Sequence, residues 1–317
     1  MFQYIIKRLL QAFLMIIAVS IILYVLIKLM PGDPFQMYLE NPSASPEAIA
    51  AVREKYGLDK PIYIQYLNWL KNTASGDWGR SYSNQRPVME LIGMKFGATL
   101  QLASFSFILA LLIAIPMGVL GAIKKNSTFD YLTTGFNYLG ISMPVFWFGL
   151  MLQLLFAVKL GWLPSAGRMS IGPAGGTFID TFKHMIMPGF VLALIYIASW
   201  SRYTRNNYMD VLSQDYIRTA QAKGLSNFQI YGGHALRNAI IPLVTVITLD
   251  IPTLMAGAVT TETVFSWPGM GFFFMDSINR RDYPVLMGIL LIIALLIILF
   301  NLIADILYAI LDPRIKY

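Results

Sequence analysis

DYIRTAQAKGLSNFQIYGGHALRNAIIP, from Asp215 to Pro242, is the stretch on which the reading of this chain turns, because it is polar and sits between long apolar runs. From Tyr208 the apolar positions Val211, Leu212, Tyr216 and Ala220 recur every three or four residues, which gives a helix with one apolar face. Gly224 suits the left-handed position that ends a helix. Ser226 and Gln229 have capping-box spacing, and Leu225 and Ile230 stand where a hydrophobic staple would close it. A helix, a glycine turn and a second capped helix are therefore written in consecutive residues. The second helix runs straight into AIIPLVTVITL at 239–249. A DNA-binding helix-turn-helix needs that helix free to enter a major groove, so this arrangement excludes one.

The surroundings explain why the stretch stands out. Of the 317 residues, 56% are hydrophobic and 13% charged, against roughly 25% charged in soluble domains. A membrane-spanning helix needs about 20 largely apolar residues. Six stretches qualify: 9–30, 98–123, 131–158, 184–201, 239–261 and 285–311. The first follows Lys7 and Arg8, is too long for a signal-peptide core and lacks a small-residue cleavage site, so an uncleaved signal anchor is expected. Pro116, Pro144, Pro188 and Pro252 fall within spans two to five. The expected fold is an all-α polytopic membrane protein. It comprises span 1 with its N-terminal end at 1–30, a helical extracytoplasmic segment at 31–95, a five-helix core at 96–311 and a tail at 312–317. Within the core, 202–238 is expected as a cytoplasmic loop.

Charge placement sets the orientation. Lys7, Arg8, Lys124, Lys125, Arg202, Arg205, Arg218, Lys223, Arg237, Arg314 and Lys316 share one side. Their density there is about twofold that of the other side, so both termini and the opening stretch are expected in the cytoplasm. The net charge of +7 thus reports topology rather than nucleic-acid binding. In the outer segment, Ser45, Pro46 and Gly57 punctuate one helix, and Pro61 opens another with Ile62, Tyr66, Trp69 and Leu70 at near-helical spacing. These helices suit a cap on the bundle, a docking surface for an external partner, or both.

Ionisable groups inside spans are functional candidates because lipid makes them expensive. Asp250 lies mid-span just before Pro252, where pathway lining and an interhelical hydrogen bond both remain open. Thr260, Thr261 and Glu262 are expected at the outer mouth, and Asp305 is expected in an interhelical bond. Ala256, Gly257 and Ala258 allow close helix packing. The chain has no cysteine, which excludes disulfides and thiolate metal sites. Its two histidines, His184 and His234, fall on opposite sides of the membrane and cannot share a metal. No G-x-x-x-x-G-K-[ST] occurs, and GVLGAIKKNS at 118–127 has the wrong spacing for a phosphate loop.

The opening stretch resembles the cytoplasmic coupling loop of permeases in binding-protein-dependent ABC importers, whose general form is EAA, three residues, Gly, nine residues, I-x-LP. Gly224, Ala220 and Leu236 match that form. Arg218, Thr219, His234 and Arg237 depart from it by replacing Glu, Ala, Ile and Pro. YIRTAQAKG followed by HALRNAIIP is similar to the oligopeptide/dipeptide branch. MPGDP at 30–34, GDWGRS at 76–81, ETVFSWPGMG at 262–271, RDYP at 281–284 and the tail LYAILDPRIKY are similar to it as well.

That resemblance implies the six-helix type I importer (MetI-like) permease fold in a bacterial cell membrane. It implies a non-catalytic subunit forming half of a translocation pathway with a paralogous permease. Two ABC ATPase subunits would bind the ATP and magnesium, so no cofactor is expected in this chain, and an extracytoplasmic binding protein would deliver substrate. The coupling contact is expected from Arg218, Thr219, Ala220, Ala222, Lys223, Gly224, Leu225 and Ser226. Ala220 and Gly224 would pack closely there, and Arg218 and Lys223 would make polar contacts. Asp250, Thr260 and Glu262 are the candidate pathway residues. Peptides are the expected cargo, with nickel complexes, haem or glutathione as alternatives served by the same machinery. A self-sufficient proton-coupled transporter using Asp250 or Asp305 is the competing class, but it gives no reason for a capped cytoplasmic knob.

Overall fold

A computed structural model describes residues 2–30, 54, 57, 59–172 and 175–311. The expected helix over 45–57 and the end of the MPGDP motif fall almost wholly outside those residues. So do the chain beyond Leu311 and the side chains of Ala256 and Gly257. Within the described residues the elements are helices, in this order: α1 (Phe2–Leu29), α2 (Ile62–Ala74), α3 (Val88–Ile123), α4 (Thr128–Ser142), α5 (Val145–Leu152), α6 (Phe178–Leu212), α7 (Asp215–Ala222), α8 (Leu236–Val264), α9 (Met270–Asn279) and α10 (Tyr283–Leu311). Two π-helical turns, Gln153–Lys159 and Gln229–Ala235, follow α5 and precede α8. Among the described residues, five helices are long and apolar enough to cross a membrane, or up to six if the bent pair α4–α5 counts as one span.

That pair departs from the straight span expected over 131–158. The helix breaks at Met143–Pro144 and turns by 106°. Pro144 has no N–H to continue α4, and it forces the preceding Met143 into extended backbone (φ −80°, ψ 126°). A second departure concerns the expected loop at 202–238. α6 continues to Leu212 through the polar run RYTRNN, well past the expected end of span 4 at 201. The reason is that Ser201, Thr204 and Tyr208 form a buried stripe on the same helix face. α3 begins at Val88, directly after Pro87, ahead of the expected start of the second span at 98.

The chain forms two compact units. One comprises Met1–Gly97 with Gly269–Ile298. In it, α2 packs its aromatic face on α1: Tyr24 lies 5.5 Å from Tyr66 and 5.8 Å from Trp69 by ring centroids. Ser20 and the Tyr66 hydroxyl share a 2.9 Å hydrogen bond. The first turns of α3 meet α10 so closely that a Cβ on Gly288 would lie 2.7 Å from Val88 Cγ1. Two sequence motifs, GDWGRS and RDYP, meet at Asp282. Its buried carboxylate accepts from the Ser81 hydroxyl and from the backbone N–H of Tyr82 (3.0 Å) and Ser83 (3.2 Å).

The other unit comprises Ala98–Pro268 with Leu299–Tyr317. Its centre is α6, whose Ala193, Ile197 and Trp200 pack with Ala110 and Ala114 of α3 and Leu243 of α8. Small residues set these separations. A Cβ on Gly118 would sit 2.6 Å from the Ser201 carbonyl oxygen, so glycine is what lets α3 and α6 touch at that level.

Candidate coupling segment and pathway face

α7 begins after Gln214 and buries Ile217 and Ala220, one turn apart, on a single face. Gly224 ends it with φ +77°. The Gly224 N–H donates to the Gln221 carbonyl at 2.9 Å, and the Leu225 N–H reaches back to the Ala220 carbonyl at 3.3 Å. This is the paired Schellman pattern, and Leu225 and Ala220 share the apolar cluster that normally accompanies it.

The next helix start is fixed just as closely. The Ser226 N–H donates to Gln229 Oε1 at 3.0 Å, while the Gln229 N–H donates to Ser226 Oγ at 3.4 Å. That is the reciprocal capping box expected from the sequence. Leu225 and Ile230 also meet in one cluster, as a hydrophobic staple requires. Both halves of the turn are thereby closed by their own hydrogen bonds.

The turn is also clamped to the bundle. Ile217, Ala220 and Ile230 pack with Ala122 of α3, Tyr208 of α6, and Ala235 and Ala239. The fully buried Tyr208 donates its hydroxyl to the Tyr231 carbonyl at 2.8 Å. Close by, Arg205 grips Asp130 in a bidentate pair, with Nε–Oδ1 at 2.5 Å and Nη2–Oδ2 at 2.7 Å. Asp130 Oδ2 also accepts from the Asn126 N–H at 2.9 Å. The α3–α4 turn is thereby fastened to α6. None of these four anchors (Asp130, Arg205, Tyr208, Tyr231) was singled out as a site from sequence, because their partners are distant in the chain.

The outward face of the segment is polar. Arg218, Thr219, Ala222, Lys223, Gly224 and Ser226 are exposed, whereas Ala220 is buried and Leu225 half-buried. Of the eight expected coupling residues, six thus form a surface and two hold it to the bundle. Arg218 has only a loose 3.5 Å pairing with Asp215, both side chains being solvated, so little holds it in place. Phe228 is 87% exposed at the start of the second helix, an aromatic on this surface that lies outside the expected coupling residues.

The second candidate region is α8. Asp250 is half-buried at its midpoint, and Thr253, Thr260 and Thr263 are exposed along the same helix. Trp200 of α6 donates its indole N–H to Asp250 Oδ2 at 2.7 Å. Glu262 belongs elsewhere. It is fully buried and accepts from Thr99 Oγ1 at 2.6 Å, so it does not stand open at a mouth as the sequence suggested. Beside it the fully buried Trp267 donates to the Ala98 carbonyl at 2.9 Å, so Glu262 and Trp267 of the ETVFSWPGMG motif are both packed.

Residues 114–317 match the family model described as "Binding-protein-dependent transport system inner membrane component", and residues 1–103 match the model of its N-terminal region. The chain belongs to that family. As such an inner membrane component it is a multi-pass transmembrane part of an ABC importer, of the oligopeptide/dipeptide permease branch. It is 45% identical to the oligopeptide transport system permease protein AppB of Bacillus subtilis over the full length of both. It is 41% identical to the dipeptide transport system permease protein DppB of Escherichia coli K12, covering 100% of this chain and 99% of that one. It is 38% identical to the glutathione transport system permease protein GsiC of Salmonella typhimurium over the full length of both. In fold, this inner membrane component resembles a chain of the inward-facing MetNI methionine ABC transporter, with a TM-score of 0.56 at 16% identity. That match covers 71% of this chain and 97% of the other and marks the type I, MetI-like permease fold.

Proposed function

We propose that this chain forms half of the translocation pathway of an ATP-driven peptide importer, and that α7 is the knob through which partner ATPases move it. The supporting observation is the double closure of the knob, Schellman turn on one side and capping box on the other, clamped to α3, α6 and α8. A force applied to Arg218, Thr219, Ala222 and Lys223 passes into α6 and α8 without being absorbed by a loose loop. The partners are two ABC ATPases carrying ATP and magnesium, a paralogous permease and an extracytoplasmic binding protein. The termini and α7 face the cytoplasm, as the basic residues suggest. The chain itself performs no catalysis.

Peptide cargo is supported by relatives whose names specify oligopeptide and dipeptide transport. Glutathione is the second reading, favoured by the full-length likeness to a glutathione permease. Proteoliposomes holding the complete importer and its binding protein test the assignment. ATP-dependent uptake of a di- or oligopeptide is expected. Uptake driven by a proton gradient in the absence of ATPases would overturn it, and uptake of glutathione but not of longer or shorter peptides would move the cargo to the second reading.

A further inference from the structure

Asp250 is the fifteenth residue of the 29-residue α8, as far from either end as this helix allows. A carboxylate at that depth does not face hydrocarbon without a large cost. Yet it is only half-buried, and its neighbours on the uncovered side are Leu249 and Thr253, both exposed. Thr260 and Thr263 continue that side toward the end of the helix. A membrane helix with a carboxylate and hydroxyls on its open face has a polar medium beside it.

The carboxylate is also prepared for a partner. Trp200 is fully buried, so its indole is fixed by packing against Phe107 and Tyr196, with ring centroids 5.7 and 5.4 Å away. Its N–H holds Oδ2 at 2.7 Å. Among the described residues Oδ1 receives no hydrogen bond, and no arginine, lysine or histidine is paired with Asp250. One oxygen is oriented and the other is left to accept. Thr253 turns its hydroxyl back to the Asp250 carbonyl at 2.7 Å and also meets the Tyr196 hydroxyl, so its oxygen stands fixed beside the carboxylate.

We infer that Asp250, oriented by Trp200 and flanked by Thr253, is a transient binding site for the ammonium group of a substrate in transit. The inference rests on the reading of α8 as pathway wall. An ammonium supplies three donors and one positive charge, which suits one free carboxylate oxygen with a hydroxyl beside it. Being single and partly solvated, the contact holds weakly, as a site that must release its cargo requires. The ligand class is a primary amine, such as the N-terminus of a peptide.

The chain contains no cysteine, so one introduced thiol reports the site without background from this subunit. The test places Cys at Thr253 in the full importer in cells and measures labelling by a cationic and an anionic methanethiosulfonate of similar size. A pathway wall with Asp250 at its centre predicts labelling by both, the cationic reagent faster by about tenfold, and loss of that preference in the Asp250→Asn background. Asparagine keeps the shape and an acceptor for Trp200, so the bundle is retained. Equal rates with Asp250 present, or a preference that survives Asp250→Asn, overturn the ammonium site while leaving the pathway reading intact. Absence of labelling by either reagent overturns both.

Discussion

The Tyr208 hydroxyl donates to the Tyr231 carbonyl at 2.8 Å, joining the end of α6 to the π-helical turn that precedes α8. α7 lies between these two residues in sequence, so the bond closes a loop around it. Tyr208→Phe keeps the ring in its cluster and removes only this bond, at a cost of about 1 kcal/mol. The expected outcome is normal insertion with ATP hydrolysis retained and uptake reduced several-fold. Parallel measurement of phosphate release and transport in proteoliposomes checks it, and unchanged uptake would show that the bond transmits nothing.

The Asp130–Arg205 pair calls for a different test. Arg205→Ala leaves the Asp130 carboxylate buried without its main partner, and breaking a buried pair this way costs about 3–5 kcal/mol. Arg205→Lys also loses stability, because an ammonium cannot make both guanidinium contacts. The double variant Asp130→Asn/Arg205→Ala is expected to be more stable than Arg205→Ala alone. Thermal unfolding of the purified complex, read as a double-mutant cycle, decides this. Additive losses would contradict the pairing.

Glu262 is expected to behave as a structural rather than a transport residue. Glu262→Gln preserves an acceptor for Thr99 and should be mild. Glu262→Ala leaves a void and a lost bond in a fully buried corner and should cost about 2–3 kcal/mol. Expression level and thermal stability are the readouts. A loss of uptake in Glu262→Gln at normal stability would return Glu262 to the pathway.

Local chemistry was the legible part of this protein. Ser226–Gln229 and Gly224 could be read from sequence because capping boxes and Schellman turns are completed within a few residues. The apolar runs likewise announced the helices. The direction change at Pro144 was not legible, since hydropathy measures how greasy a stretch is and not where it points. RYTRNN at 202–207 looked like a loop because its polarity was visible and its buried stripe was not. Asp130 with Arg205, and Asp282 with Ser81, are ties across 75 and 201 residues. No spacing rule reaches that far. The sequence placed Asp250 in a span but left its role open, and the side chain of Trp200 is what gave its carboxylate an orientation.

Gly224 tests the central claim most directly. Its φ of +77° strains any L side chain, yet a Cβ there meets nothing within 4 Å in this chain. A larger residue at that position therefore acts on the turn and on whatever docks over it, not on the bundle. Strain of about 1–2 kcal/mol corresponds to roughly a tenfold shift. The measurement is peptide taken up per ATP hydrolysed by the Gly224→Val importer in proteoliposomes, with subunit content verified. The account predicts full assembly, continued hydrolysis and uptake per ATP lowered about tenfold. Uptake per ATP equal to that of the unaltered importer would contradict it.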